Sequence, residues 1–338
     1  MYSQHESLSK LLLRVPPIVL QQFARFNVIE EIQSTNDIEG VQSTRQELRE
    51  TFEQASSSAR FAGIINRYNN LVDGRDIAFD TCIDIRIFYN TFTYDEVLRA
   101  APSNKLDGKI FRAGSVDISS ASGKTIHRGL FPEENIISAM NAALHILYDE
   151  KMPLLIRLAI FHYAFAYIHP FYDGNGRTGR FIVSYFLAKR FHFIVALRLS
   201  YILKKNLKQY YELFKLTDAE INCGDLTPFI TEFVSLIAAT FDNVSDVLKR
   251  KLNQLDKLSN LLLPVVPNEP LIRKLYVLLL QTSSFYGYGL TLKELVALTG
   301  KSRNTIRSRL DAMPPEHLTL IKAKPFRFKL NANIFKTL

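Results

Sequence analysis

The fold is decided by one stretch of sequence, His169-Pro170-Phe171-Tyr172-Asp173-Gly174-Asn175-Gly176-Arg177-Thr178-Gly179-Arg180. It separates two apolar segments, about 153–168 and 178–191, whose patterns predict long buried helices. Gly174 and Gly176 have no Cβ, so successive backbone N–H groups can converge on an anion. The N-terminus of the following helix also favours an anion. The stretch therefore predicts an anion-binding loop between two core helices.

The polar members of this loop indicate phosphoryl-type transfer. Arg177 and Arg180 are three residues apart, so both guanidinium groups can reach one polyphosphate. Cations at a helix N-terminus are locally unfavourable, and their presence suggests a bound anion. Asp173 supplies a hard oxygen ligand for Mg²⁺, and His169 can accept a proton from an attacking hydroxyl. The alternative is a plain Gly-rich turn with a capping Asp and surface arginines.

Working outward, the pattern is mostly helical with one predicted hairpin. Residues 29–38 form a predicted helix that Gly40 terminates. Residues 112–132 are rich in Gly, Ser and β-formers, with a turn signal at Ser122-Gly123, which predicts a short β-hairpin. Further helices are predicted at 133–148, 207–216 and 228–258. Residues 80–92 mix β-branched with aromatic side chains and leave helix and strand equally open.

The C-terminal segment has its own pattern and carries the charge. Residues 261–270 contain three prolines and form the predicted linker. Predicted helices at 271–280, 291–298 and 303–313 are followed by a ribbon at 318–330, an order typical of a winged helix.

Residues 271–338 contain 12 Lys and Arg against 3 Asp and Glu, whereas the rest of the chain is balanced at 30 of each. This asymmetry predicts a surface that faces a polyanion such as DNA. The candidate DNA contacts are Lys301, Arg303, Arg307, Arg309, Lys324 and Arg327. A winged helix that contacts only protein, or that forms a dimer, is the alternative.

Bulk composition excludes several classes of protein. A length of 338 residues with 47% apolar residues predicts two or three domains with sizeable cores. Two cysteines exclude a disulfide scaffold, and Cys223 is predicted to be a small buried residue. The histidines lack metal-ligand spacing, and His162 is predicted to lie in the core. A polar N-terminus and the absence of a long apolar run predict a cytoplasmic protein without a membrane segment.

The loop matches the motif of the Fic family, His-x-Phe-x-(Asp/Glu)-Gly-Asn-Gly-Arg-x-x-Arg, at every fixed position. The helix before it and the run 222–229 also resemble the family, so the resemblance covers roughly residues 28–241. It implies a mainly α fold, a Fic-type helical bundle with a β-hairpin flap, to which we add a small C-terminal winged-helix (α+β) domain. The predicted domains are 1–100, 101–241, 242–270 and 271–338, with the flap at 112–132 and the catalytic loop at 169–180.

The resemblance implies transfer of AMP from ATP to a Ser, Thr or Tyr hydroxyl of a target protein. His169 would be the general base and Asp173 the Mg²⁺ ligand. The implied phosphate site consists of Gly174, Asn175, Gly176, Arg177 and Arg180, with Phe171 as the core anchor of the loop. Tyr211 and Asn222 would contact adenosine.

The implied flap presents an edge, within 123–130, that would pair with an extended target strand. Its predicted contact residues are Gly123, Lys124, Thr125, Ile126, His127 and Arg128. Fic proteins often form dimers, so a homodimer is compatible with the resemblance. Two alternatives stay open at this point: relatives that transfer another group, such as phosphate, UMP or phosphocholine, and a DNA-binding regulator whose Fic domain senses nucleotide.

A second match lies upstream, where Thr35-Asn36-Asp37-Ile38-Glu39-Gly40 resembles the inhibitory motif of the family, (Ser/Thr)-x-x-x-Glu-(Gly/Asn). In an inhibitory helix at about 29–40, Glu39 would pair with Arg180 and remove the clamp for the γ-phosphate. The prediction is a weakly active protein that Glu39→Gly activates. An ordinary helix C-terminus with a surface acid is the alternative.

Overall fold

The computed structural model describes residues 2–54, 59–119, 125–285, 289–321 and 326–335. The described chain is mainly helical with two small antiparallel sheets, which confirms the predicted fold class. Within these ranges no helix has both the length and the apolar character needed to cross a bilayer.

The chain divides into two compact units, Asn27–Asp242 and the combination of Tyr2–Phe26 with Asn243–Leu338. The first helices are α1 (Tyr2–Leu12) and α2 (Pro17–Ile38). Residues 27–100 therefore belong to the same compact unit as the predicted catalytic core, while residues 2–26 do not. The functional division at residue 100 stays a prediction.

The unit that contains the loop is a helical bundle with a hairpin. Its helices are α3 (Arg45–Gln54), α4 (Ala62–Val72), α5 (Cys82–Phe92), α6 (Tyr94–Ala100), α7 (Glu133–Tyr148), α8 (Leu154–Ile168), α9 (Asn175–Arg190), α10 (Phe193–Ala196), α11 (Leu199–Lys205), α12 (Leu207–Thr217) and the start of α13 (Thr227–Leu262). Strands β1 (Asp117–Ser119) and β2 (Thr125–Arg128) pair antiparallel, with Asp117 opposite Arg128. This confirms the predicted hairpin.

The segment that the sequence left open, 80–92, is a helix. Thr81 and Asp84 form a capping box at its start, because each side chain accepts from the other residue's backbone N–H. Its buried positions recur at helical spacing, and Phe88 stacks on Phe181 of α9 with ring centroids 4.9 Å apart. Tertiary packing therefore outweighs the β-propensity of the branched residues.

Helices α8 and α9 form the centre of the bundle. A Cβ on Gly179 would lie 3.2 Å from the Phe165 ring, so this glycine permits their close approach. His162 is buried between them and α12, with its Nε2 2.7 Å from the Tyr210 hydroxyl. Burial lowers the pKa of His162 to about 3. The prediction of a core histidine is confirmed.

The C-terminal elements follow the predicted order. They are α14 (Pro270–Phe285), β3 (Leu290–Thr291), α15 (Leu292–Thr299), α16 (Arg303–Asp311), β4 (Leu318–Ile321) and β5 (Arg327–Leu330). Gly300 adopts a left-handed conformation in the turn between α15 and α16, and Ser302 caps α16. Strand β3 was not predicted; it joins the ribbon in a sheet of order β3-β5-β4. The predicted ribbon tip, 324–325, lies outside the described residues.

Candidate active site

The turn between α8 and α9 begins and ends with residues of left-handed conformation, His169 and Gly174. Helix α8 stops because His169 has φ 53°, and Gly174, with φ 76°, forms the N-cap of α9. Helix α9 begins at Asn175, a turn earlier than the predicted start near residue 178. The earlier start is stabilised by the Thr178 hydroxyl, which donates to the Gly174 carbonyl at 2.8 Å. The free N–H groups of α9 therefore lie at the glycines of the loop.

Two contacts hold the loop against the core. The Phe171 ring stacks on Tyr89 with centroids 3.7 Å apart, which confirms the predicted anchor. The Asn175 amide accepts from the Phe171 N–H at 2.9 Å and donates to the Phe171 carbonyl at 2.8 Å. Asn175 thus shapes the loop with both ends of its side chain. The groups that can face an anion here are backbone N–H groups rather than this amide.

His169 and Asp173, the predicted base and metal ligand, are both half-buried in the loop. Burial lowers the pKa of His169 to about 4, so its imidazole is neutral near pH 7. The Asp173 side chain is 41% exposed, and its Oδ1 accepts from the Gly174 N–H at 2.5 Å. A half-exposed carboxylate fits a Mg²⁺ ion that keeps most of its waters. Among the described residues no group of three or more His, Cys, Asp and Glu forms a closed metal site.

Arg180 is buried and bound by the predicted inhibitory segment. Its Nε donates to the Thr35 hydroxyl at 2.8 Å, and its Nη2 lies 2.7 Å from Glu39 Oε1. Burial acts against the charge of Arg180, but Glu39 outweighs it and raises the pKa of this arginine. A Cβ on Gly176 would collide with the Glu39 carboxylate. The carboxylate therefore lies against the N-terminus of α9, where an anion is favoured. Gly40, with φ 70°, follows as the predicted helix terminator.

Arg177 has a partner that the sequence did not predict. Its Nη1 lies 2.6 Å from Glu96 Oε2, and both side chains are buried. Glu96 also accepts from Arg60 at 3.3 Å. Among the described residues Arg177 Nε and Nη2 find no hydrogen-bond partner, although Nη2 lies 3.9 Å from Asp173 Oδ1. An acid early in α6 is common on exposed helices, and nothing local in the sequence marks Glu96 as buried.

The two proposed adenosine contacts lie in different settings. The Tyr211 hydroxyl donates to the Ile38 carbonyl at 2.8 Å, which places it beside Glu39. Asn222 closes the turn after α12 by donating to Thr217 and Asp225 carbonyls. Cys223 is exposed, with φ 49°, so the prediction of a buried cysteine is wrong. The turn places this residue in a left-handed conformation on the surface, where it packs against no core.

The described part of the flap lies along the end of α8. His127 Nε2 is 2.7 Å from the Tyr167 carbonyl, and the two rings are 4.5 Å apart. Arg128 pairs with Asp117 across the hairpin at 2.6 Å. Thr125 and Ile126 are in β2, while Gly123 and Lys124 lie outside the described residues.

The segment before the first flap strand, residues 107–114, is called the flap base. It contains further residues that contact the loop and that no sequence pattern marks. Arg112 is fully buried and donates to the His169 carbonyl at 2.8 Å. The Tyr172 hydroxyl bonds to Asp107 and accepts from the Gly114 N–H at 2.9 Å. These contacts join positions about 60 residues apart, and no spacing rule in the sequence relates them.

The candidate DNA contacts are not equivalent. Lys301, Arg303 and Arg307 are exposed. Arg309 pairs with Glu269 at 2.8 Å, and Arg327 is buried in the sheet beside Glu294 at 3.4 Å. Lys324 lies outside the described residues. Of the candidates that the structure describes, Lys301, Arg303 and Arg307 are therefore the cations open to a polyanion.

The described bundle has a glycine-rich turn between two core helices and a hairpin beside it. The model of the Fic/DOC family matches residues 94–187, which include the flap, α8, the loop and most of α9. This match identifies residues 94–187 of the chain as a Fic/DOC-type domain.

The relatives agree with this assignment. Over 84 residues the chain is 36% identical to protein adenylyltransferase Fic of Drosophila grimshawi and 34% identical to that of Drosophila melanogaster. The first match covers 25% of this chain and 16% of that protein, so the similarity spans about a sixth of these relatives.

Two solved structures share the fold. A Fic family protein from Desulfovibrio desulfuricans G20 aligns over 98% of this chain and 95% of its own, with a TM-score of 0.57 and 19% identity. A Fic-domain-containing signaling protein from Bacteroides thetaiotaomicron aligns over 73% of this chain and 96% of its own, with a TM-score of 0.52 and 15% identity.

Proposed function

We propose that the chain is a Fic-type transferase that moves AMP from ATP to a Ser, Thr or Tyr hydroxyl of a target protein. One observation carries this proposal: a neutral imidazole, His169, ends one core helix, and an anion site at Gly176 and Arg180 begins the next. The site is occupied by a carboxylate of the chain itself. A base beside an anion site is the arrangement that in-line transfer needs.

In the proposed reaction the target hydroxyl oxygen attacks the α-phosphorus of ATP. The bond between the α-phosphorus and its bridging oxygen breaks, pyrophosphate leaves, and His169 accepts the hydroxyl proton. Arg177 and Arg180 would bind the phosphates, with the Nε and Nη2 of Arg177, which make no hydrogen bond in the described structure, as the proposed donors. Asp173 would hold Mg²⁺, which supplies charge neutralisation on the phosphates. Tyr211 and Asn222 are the proposed adenosine contacts, and the flap edge would pair with the target strand.

Glu39 is the proposed brake of this reaction. While its carboxylate binds Arg180, this guanidinium cannot clamp the γ-phosphate, and the bound nucleotide is held in a pose unsuited to in-line attack. Thr35 strengthens the hold, since both its hydroxyl and its carbonyl accept from Arg180. Release of Glu39 would free the clamp.

The test is mass spectrometry of the Glu39→Gly protein incubated with Mg²⁺ and ATP. We expect one or more AMP adducts on the protein itself, fewer on the parent, and none on the Glu39→Gly/His169→Ala protein. His145→Ala in the same background is the matched control, because His145 is exposed at the end of α7. An adduct formed only from another donor, such as UTP or CDP-choline, would assign a different transferred group. No adduct from any donor would reject the enzyme proposal.

A second function is favoured by the exposed Arg303 and Arg307 at the start of α16. We propose that the predicted domain 271–338 is a winged helix-turn-helix whose α16 contacts DNA phosphates. The measurement is fluorescence anisotropy with a labelled duplex over a range of salt concentrations. Affinity that falls steeply with salt, and that disappears when residues 271–338 are deleted, would support DNA binding. No binding at low salt would favour a protein-contact module.

A further inference from the structure

The C-terminal carbonyls of α8 are satisfied by the flap base and the flap. The last carbonyls of a helix have no hydrogen-bond partner within the helix. In α8 these carbonyls lie next to His169, the proposed base. The contacts are Tyr167 O with His127 Nε2 at 2.7 Å, Ile168 O with the Leu130 N–H at 3.1 Å, His169 O with Arg112 Nε at 2.8 Å, and Pro170 O with the Arg112 N–H at 3.2 Å. Arg112, His127 and Leu130 therefore cap the C-terminal end of α8, beside His169.

The Arg112 side chain joins three places at once. Beyond His169, its Nη1 donates to the Gly114 carbonyl at 2.5 Å and its Nη2 to the Leu130 carbonyl at 2.8 Å. Gly114 precedes the first flap strand and Leu130 follows the second. The guanidinium is fully buried, and its hydrogen bonds in the described structure go to backbone carbonyls. A cation is favoured at a helix C-terminus by the helix dipole.

The surroundings leave little freedom for this arrangement. A Cβ on Gly129 would lie 2.5 Å from Arg112 Nη2 and 2.9 Å from the Cβ of His169, so only glycine fits there without displacement. His169 has φ 53°, a conformation that a non-glycine residue adopts only when its neighbours hold it. The bond from Arg112 Nε to the His169 carbonyl acts directly on this strained peptide. A lysine has one nitrogen and cannot donate in three directions as a planar fork.

We propose that Arg112 is the positioning residue of the general base, and that it couples His169 to the target-binding flap. The proposal rests on the proposed function, and it adds that Arg112 sets the distance between the base and the target hydroxyl. A hydroxyl presented by a strand on the flap reaches His169 in one geometry because a single guanidinium holds both ends of the flap and the His169 carbonyl. Arg112 itself touches no reacting atom.

Other bonds would keep the flap base and the flap folded without Arg112. The Tyr172 hydroxyl accepts from the Gly114 N–H and bonds to Asp107, and the Leu130 N–H donates to Ile168. Variants of Arg112 are therefore expected to retain the hairpin, but the hairpin should no longer be held at a fixed distance from His169. This separates a positioning role from a general role in folding.

The experiment compares Arg112→Lys and Arg112→Gln in the Glu39→Gly background. Arg86→Lys is the matched control, because Arg86 donates to the Ile110 carbonyl at 2.8 Å but bonds to no residue of the loop. We expect kcat to fall about 100-fold in both Arg112 variants, the loss typical of a reacting group misplaced by about 1 Å. The Kd for ATP should change by less than about threefold, since the phosphate site is untouched. Guanidinium chloride, below its unfolding concentration, should partly restore kcat of Arg112→Ala, while kcat of the control should stay unchanged.

NMR spectroscopy tests the coupling between the flap and His169 without any measurement of activity. The His169 ring resonance in NMR spectra should shift in Arg112→Lys and stay in place in Arg86→Lys, and the Leu130 amide should exchange faster only in the first. If Glu39→Gly transfers nothing, the proposed function fails while this measurement still tests the coupling. Parent-like kcat and an unmoved His169 resonance in Arg112→Lys would overturn the proposal. If Arg112→Gln does not fold, Arg112→Lys decides.

Discussion

Helices α9 and α16 both carry arginines near their N-termini, but these arginines are buried in α9 and exposed in α16. Arg177 and Arg180 are buried, and each is held by a carboxylate from a distant segment, Glu96 and Glu39. Arg303 and Arg307 lie on the surface of α16. A cation near a helix N-terminus is destabilised by the helix dipole by roughly 0.3–1 kcal/mol. Burial adds the cost of removing the charge from water. Burial therefore decides whether an arginine requires a fixed counter-charge or ligand.

The largest effect should come from removing a buried counter-charge. Glu96→Gln leaves Arg177 charged and buried without its partner, which should lower the free energy of unfolding by about 3–5 kcal/mol. Urea unfolding followed by circular dichroism measures it. The matched control is Glu269→Gln, which breaks a pair with Arg309 that is more than a third exposed and should cost no more than about 1 kcal/mol. Equal losses in the two variants would contradict the comparison.

The second effect concerns Glu39, whose partner is buried but whose own side chain is 28% exposed. Glu39→Gln keeps the volume and removes the charge, so Arg180 becomes available to phosphate. The rate of self-modification with ATP should rise about 5–150-fold, the range of typical coupling free energies. Asp37→Asn is the control, because Asp37 pairs with the exposed Lys204 and should leave the rate nearly unchanged. If both variants raised the rate alike, general loosening of α2 would explain the activation.

A third test uses Glu31, a buried acid that accepts from the backbone N–H groups of Ser200 and Tyr201 at the start of α11. Burial raises the pKa of Glu31 to about 7, above its usual value of 4.5. The folded state therefore binds the proton more tightly between these values, and this group stabilises the fold as pH falls from about 7 towards 4.5.

Acidification from pH 8 to pH 5.5 should therefore stabilise the parent by about 2 kcal/mol more than Glu31→Gln. Urea midpoints at the two pH values measure the difference. His162 and His169, whose pKa values are lowered to about 3 and about 4, act in the opposite direction below pH 6.5 in both proteins and cancel in the comparison. Parallel pH profiles for parent and variant would refute an elevated pKa.

The smallest effect is expected at the exposed arginines. Arg303→Ala/Arg307→Ala should leave the free energy of unfolding within about 0.5 kcal/mol of the parent, because these are surface positions. If α16 contacts DNA, the double variant should lower the salt slope of binding by about 1 per lost phosphate contact. Lys257→Ala, an exposed cation of α13, is the control. A slope unchanged in the double variant would remove α16 from the DNA contact.

Prediction from the sequence succeeded where a feature lies within one segment. The loop, its two flanking helices, the hairpin and the helix-turn-helix order of the C-terminal elements follow from glycine positions, apolar periods and caps. The pairing of Glu39 with Arg180 was predicted through a family motif, and the structure contains it at 2.7 Å. The prediction that Cys223 is buried was wrong because residue type alone does not determine burial. The secondary structure of residues 80–92 was not predicted because their side chains suit both helix and strand.

The sequence by itself determined which chemical groups stand in the loop and in what order, since their spacing along twelve residues is a local property. Only the tertiary structure decided what they touch. Glu96 reaches Arg177 across 81 positions and Arg112 reaches His169 across 57, and in both cases the partner looks like an ordinary surface residue in its own segment. The physical reason is that the desolvation of a buried charge is set by the packing of all the surrounding helices, and no single segment encodes that packing.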